Sequence, residues 1–228
     1  MADVRLKTSA KLIGTNGQST PIPFKGALDG SMFTADWLLR QALEGRMYTL
    51  HAGTGTAPIT GAGVYVNTTP DVDMSVPVNT CIVITKVVVN YETVGTSGIQ
   101  ECVAVIGKGG VITPTSFDAV TIVNHRLDLT NDSGVTAGST GTGATYMTSN
   151  VLEFFRNSPP MGITKTSQSA TVSSIDPYRF EWSALATGDW PIMYATDGIT
   201  RLNVFMGGQA PTGFITVTFV KPALTTDG

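Results

Sequence analysis

Few residues in this chain have the type and spacing to do chemistry. It carries two histidines, His51 and His125, and two cysteines, Cys81 and Cys102. A zinc site needs several His or Cys ligands grouped at short spacing. Neither histidine has such a neighbour in sequence, so each reads as a hydrogen-bonded structural residue. The chain has no Gly-x-Ser-x-Gly elbow and no His-Glu-x-x-His helix. Gly107-Lys108-Gly109-Gly110 lacks the earlier spaced glycine and the following Ser or Thr of a phosphate loop, and reads as a turn after a strand.

Oxygen ligands are more plentiful. Asp128, Asn131, Asp132 and Ser133 fall in one polar segment, the kind of cluster that calcium favours. The EF-hand loop needs Gly where Ser133 stands and a distal Glu, so a solvated turn is the leading reading. If calcium binds, Asp128 and Asp132 are its first candidates, with Asp71 and Asp73 second. No other cofactor is implied.

Glu153, Asp176 and Glu181 are the carboxylates available for glycoside hydrolysis, but nothing in their spacing selects a facing pair. Tyr178, Phe180 and Trp182 alternate with Arg179 and Glu181, which predicts a strand with buried aromatics and an external ion pair. Trp182, Trp190 and Tyr194 offer the alternative of a sugar-stacking platform. The sequons at Asn67 and Asn131 read as chance matches, because Met1 to Lys7 lacks the apolar core of a secretory signal. With no catalytic set, the chain reads as a non-enzyme.

The elements around these residues are mostly strands. Residues 1–30 read as an extended arm: Gly14 to Gly17 is a turn signal, and Pro21 and Pro23 prevent a helix. One helix follows, from Phe33 or Thr34 to Arg46. Thr34 is its cap, Asp36 sits in its first turn, and Trp37, Leu38, Ala42 and Leu43 form its apolar stripe. That stripe either covers the core or packs on a neighbouring subunit.

Strands are expected at 63–67, 73–78, 80–93, 101–107, 119–124, 151–156, 178–182, 191–195, 201–206 and 213–220. In the longest, Cys81, Val83, Thr85, Val87, Val89 and Tyr91 form one face, with Lys86, Asn90 and Glu92 on the other. Pairing 80–93 with 101–107 around Gly98 sets Cys102 opposite Glu92, so two buried free thiols are expected rather than a disulfide. The connections 132–150 and 157–175 exceed hairpin length and read as loops. In the last strand Ile215, Val217 and Phe219 make an apolar face, and Phe214, Thr216 and Thr218 the other.

Charged residues are only 14% of the chain, against roughly a quarter in typical soluble proteins. Thr, Gly, Ser and Asn fill the gap. A neutral polar surface costs less to desolvate than a charged one, which points to burial against partners. The net charge of -3 argues against a strong nucleic-acid surface. No apolar run reaches the roughly 18 residues of a membrane span.

An arm (1–30), a short helix (Thr34 to Arg46), about eight Thr/Val/Gly-rich strands from Val64 to Val220 and a short polar tail (Thr225 to Gly228) follow in that order. In this order of parts the chain resembles the single jelly-roll capsid proteins of viruses, including bacteriophages. The resemblance implies an all-β jelly-roll sandwich over 51–228, preceded by an arm-and-helix region over 1–50. It implies strand rows B-I-D-G and C-H-E-F, with the closing strand central in its sheet. It further implies a self-assembling coat subunit, made in the host cytoplasm and resident in the virion, with copies of itself and other virion proteins as partners. Its expected interface residues are Trp37, Leu38, Phe214, Thr216 and Thr218. Unlike many capsid arms, this one is not strongly basic, which counts against direct genome packaging. The alternatives are another virion component (decoration, tail or spike protein) and a carbohydrate-binding β-sandwich.

Overall fold

The computed structural model describes residues 37–63, 65, 69–93, 101–109, 118–139, 147, 149–158, 179–208 and 210–222. The expected arm, Thr34 and Asp36, the turn at 95–98, Asp176, Tyr178, the tail, much of both long connections and most of the strand at 63–67 lie outside these residues.

In chain order, helix α1 (Trp37–Leu43) precedes β1 (Met47–Ala52), β2 (Ile59–Thr60), β3 (Val72–Val76), β4 (Ile82–Thr93), β5 (Cys102–Lys108), β6 (Asp118–Ala119) and β7 (Ile122–Asn124). Then come β8 (Thr136–Ser139), β9 (Ser149–Asn157), β10 (Arg179–Ser183), helix α2 (Ala184–Thr187), β11 (Ile192–Met193), β12 (Thr200–Met206) and β13 (Thr212–Val220). The protein is all-β, with two antiparallel sheets. The first runs β10-β4-β13-β1-β7, with β11 also on β4 and β2 also on β13; the second runs β6-β8-β3-β12-β5-β9. The described residues thus hold thirteen strands, several very short, rather than about eight.

Alternation builds the core. Ile215, Val217 and Phe219 of β13 and Tyr48, Leu50 and Ala52 of β1 face inward. Val72, Met74 and Val76 of β3 and Leu202, Val204 and Met206 of β12 meet them from the second sheet, in one continuous cluster. Burying one such side chain contributes about 1.5–3 kcal/mol, so this cluster is the main source of stability. As expected, β13 is central, lying between β4 and β1.

Four local expectations change. The helix ends at Leu43, not Arg46. Gly45 adopts φ 71°, its N–H donates to the Ala42 carbonyl, and the Arg46 N–H donates to that of Gln41. This paired closure is the glycine C-cap, and it stops the helix a turn early. The residues after it form β1, which the sequence reading assigned to no strand and which crosses the expected boundary at residue 50.

The face assignment of β4 also breaks. Ile82 and Ile84 are inside, and then Val87, Val89 and Tyr91 are inside. The β13 register jumps from Thr218↔Lys86 to Phe219↔Ile84, leaving Thr85 as the extra residue of a bulge. Its hydroxyl donates to the Thr218 carbonyl at 3.0 Å. One inserted residue inverts the alternation beyond it, so Val83 turns outward.

β4 and β5 do not pair as a hairpin. They belong to opposite sheets, β4 beside β13 and β5 between β12 and β9. Cys81 and Cys102 are nonetheless both free and buried, and burial pushes the Cys102 thiol up to about 12. Finally, the expected strand 119–124 is two short strands in different sheets, and β8 pairs with β3 inside a stretch read as loop.

Candidate functional site

Two surfaces stand out, both on the first sheet. One is its outer face across β7, β1 and β13. The register sets Thr49 opposite Thr218 and His51 opposite Thr216. The side chains join across strands: Thr49 Oγ1 lies 2.6 Å from His125 Nε2 and 3.1 Å from Thr218 Oγ1. His51 Nδ1 lies 2.9 Å from Thr216 Oγ1, and its ring stacks on Phe214 at 5.8 Å. The three expected interface residues of β13 therefore do share this outward face, with Thr218 buried and Phe214 and Thr216 half-buried. Burial holds His125 below the usual histidine range, and hence neutral near pH 7. Among the described residues neither imidazole is paired with a carboxylate, so the array lacks the orienting acid of a catalytic triad. It is a hydrogen-bonded lattice of threonines and histidines. An open cleft of about 720 Å³ lies beside His51, lined also by Thr54, Thr60, Asp118 and Thr121.

The second surface is apolar. Trp37 of α1 meets Trp190 edge-on, with ring centroids 5.7 Å apart. Together with Leu38, Val83, Leu185 and Ile192 they line a groove of about 370 Å³. Val83 is available to it because the Thr85 bulge turns it outward. Of the residues of α1 only Gln41 is buried, so the expected apolar stripe does not insert into the core. Leu39 and Leu43, four residues apart and hence on one helical face, are 54% and 61% exposed. Leu39 falls outside the expected stripe of Trp37, Leu38, Ala42 and Leu43, yet it shares an exposed face with Leu43.

The acidic candidates have other partners. Asp128 takes a two-armed ion pair from Arg126, at 3.0 and 2.6 Å, which holds its carboxyl below the usual range. Asp132 accepts a short hydrogen bond from the Tyr48 hydroxyl. No group of three or more His, Cys, Asp or Glu suited to a metal occurs among the described residues. Glu153 pairs with Arg156, and Glu181 with Lys86 and Arg179, the external pairing read from the β10 alternation. The aromatic trio is divided: Trp182 is buried against Phe154 at 4.7 Å, while Trp190 and Tyr194 are exposed.

Asp71 and Asp73 are fully buried. Asp73 binds Arg201 and Asn203 of β12. Asp71 accepts the N–H groups of Ala62 and Met206, tying the end of β12 to the loop after β2. Sequence reasoning missed this cluster. Its signal was Arg201 and Asn203 alternating with Leu202 and Val204 in a strand whose two faces are both buried.

No protein-family model, no curated protein and no solved structure matches this chain. No helix among the described residues is long and apolar enough to cross a membrane.

Proposed function

We propose that this protein is a jelly-roll capsid subunit of a virus or bacteriophage, assembling with copies of itself into a shell. The observation that carries this reading is the strand order. Labelled B to I along the chain, β1, β3, β4, β5, β9, β10, β12 and β13 give B-I-D-G in the first sheet and C-H-E-F in the second. That order supports a double Greek key of the jelly-roll kind, an architecture used by capsid and lectin domains. On this reading β2, β6, β7, β8 and β11 are short additions at the margins.

The role is structural rather than catalytic. The outer lattice of Thr49, Thr216 and Thr218 has hydroxyls to share with a neighbour and no charge to desolvate. The protein is made in the host cytoplasm and resides in the virion, with other virion proteins as further partners. Electron microscopy of the purified protein, with light scattering, tests this. Shells or large symmetric oligomers are expected, and a strict monomer at high concentration would overturn the proposal.

A second reading, carbohydrate binding, is favoured by one observation: Trp37, Trp190 and Tyr194 present exposed rings of the kind that stack on sugars. Saturable quenching of tryptophan emission by a glycan, without self-association, would select it.

A further inference from the structure

We propose that the groove between α1 and β11 receives the α1 ridge of a second copy of this chain, so that two copies meet about a two-fold axis. The choice of occupant rests on the self-assembly reading; the surface and its symmetry rest on the following geometry.

A two-fold contact uses the same patch on both partners, so the patch must carry a projection and a matching recess. This one carries both. The projection is Leu39 and Leu43, on the α1 face pointing away from buried Gln41. The recess is the groove beside the same helix, walled by Trp37 and Leu38 on one side and by Leu185, Trp190 and Ile192 on the other. All its lining residues are apolar, so a charged or strongly hydrated segment would find no polar partner there. A leucine ridge would.

The area suits a protein partner. Leu39, Leu43, Leu185 and Ile192 are 54–61% exposed, and Trp37 and Trp190 are 42% and 38% exposed. At about 100 Å² per aliphatic and 200 Å² per aromatic side chain, they present roughly 400 Å² of apolar surface. A standard interface buries about 800 Å² on each partner, of which about 57% is apolar. The patch therefore supplies most of the apolar share of one side. Its edge is polar as an interface rim should be: Arg40 and Glu44 form an ion pair at 2.8 Å beside the ridge. Two tryptophans at its centre fit the enrichment of that residue among interface hot spots.

The test uses the full chain in sedimentation velocity over a wide concentration range, with tryptophan emission and microscopy in parallel. Leu39→Glu and Ile192→Glu should each weaken dimer formation by at least about 100-fold and leave the thermal midpoint nearly unchanged, because both side chains are exposed. In a second arm, Leu39→Cys protein is mixed with Ile192→Cys protein and oxidised. A disulfide-linked pair containing one of each is expected, and a Thr56→Cys control should give none. If the wild-type protein assembles and both glutamate variants assemble equally well, this surface is wrong while the shell reading stands. If the wild-type protein is monomeric throughout, both fall. If an apolar dye fills the groove of a protein that never self-associates, the groove is a small-molecule site and the two-fold contact is rejected.

Discussion

Arg201 donates through Nη1 to both carboxylate oxygens of Asp73, at 3.3 and 3.1 Å, with each side chain only 1% exposed. Asn203 adds a bond at 2.6 Å, yet Nε and Nη2 of Arg201 meet no partner among the described residues. A charge pair in this setting stabilises only while both members remain. Asp73→Ala should therefore cost about 3–5 kcal/mol, by stranding a buried guanidinium. The double variant Asp73→Leu, Arg201→Met should recover most of that loss. Urea unfolding of the three proteins checks it; equal losses in the single and double variants would refute the coupling.

Burial raises the Asp71 carboxyl from 3.8 to about 7, against the two amide donors that favour its charged form. An acid whose folded value is raised binds its proton more tightly when folded. Its contribution to stability is complete below about 3.8 and declines as pH rises through about 7. One such proton gives a slope of at most about 1.4 kcal/mol per pH unit. Thermal midpoints should fall between pH 5 and 7.5, and Asp71→Asn should flatten that dependence.

Gly213 follows the register shift near the start of the β13–β4 pairing, opposite Tyr91. A Cβ there would lie 2.2 Å from the Asn90 carbonyl oxygen. Backbone cannot swing aside as a side-chain tip can. Gly213→Ala should destabilise by about 1–3 kcal/mol, the range for overpacking a tight site. Gly55→Ala, where a Cβ meets nothing within 4 Å, is the matched control. Calorimetry of the pair decides.

Phe219 is fully buried and stacks on Tyr48 at 5.5 Å. Phe219→Ala should lose about 3–5 kcal/mol. Thr216→Glu, on the opposite face of the same strand, should change stability by less than about 1 kcal/mol. It should nevertheless block assembly if the outer lattice is a contact surface. Denaturation midpoints and particle yield separate the two effects.

Much of the sheet was legible in advance. The strands at 73–78, 101–107, 151–156, 178–182, 201–206 and 213–220 all have observed counterparts at β3, β5, β9, β10, β12 and β13. Period-two alternation is a local property, and these runs display it. β8 was illegible because Thr136 to Ser139 has loop composition and becomes a strand only by pairing with β3. β1 was overlooked, although Tyr48, Leu50 and Ala52 alternate with Met47, Thr49 and His51, because the helix was extended through Gly45. Of the expected interface residues, Phe214, Thr216 and Thr218 share the face of β13 opposite Ile215, Val217 and Phe219. Trp37 and Leu38 do line a surface groove, but its other wall comes from β11 and α2, far along the chain.

The sequence by itself determined the all-β class, the scarcity of histidine and cysteine and the inward face Ile215, Val217 and Phe219 of the closing strand, because each follows from composition or from neighbours two residues apart. Only the tertiary structure decided which strands share a sheet. It separated β4 from β5, joined Asp73 to Arg201 across 128 positions, and set Trp37 against Trp190. Such contacts are chosen by how two sheets bury their apolar faces together, and that choice depends on the whole core at once. The same holds within β13. Its alternation was written in the chain, but the bulge opposite it, which turns Val83 out into the groove, exists only once Thr85 meets Thr218.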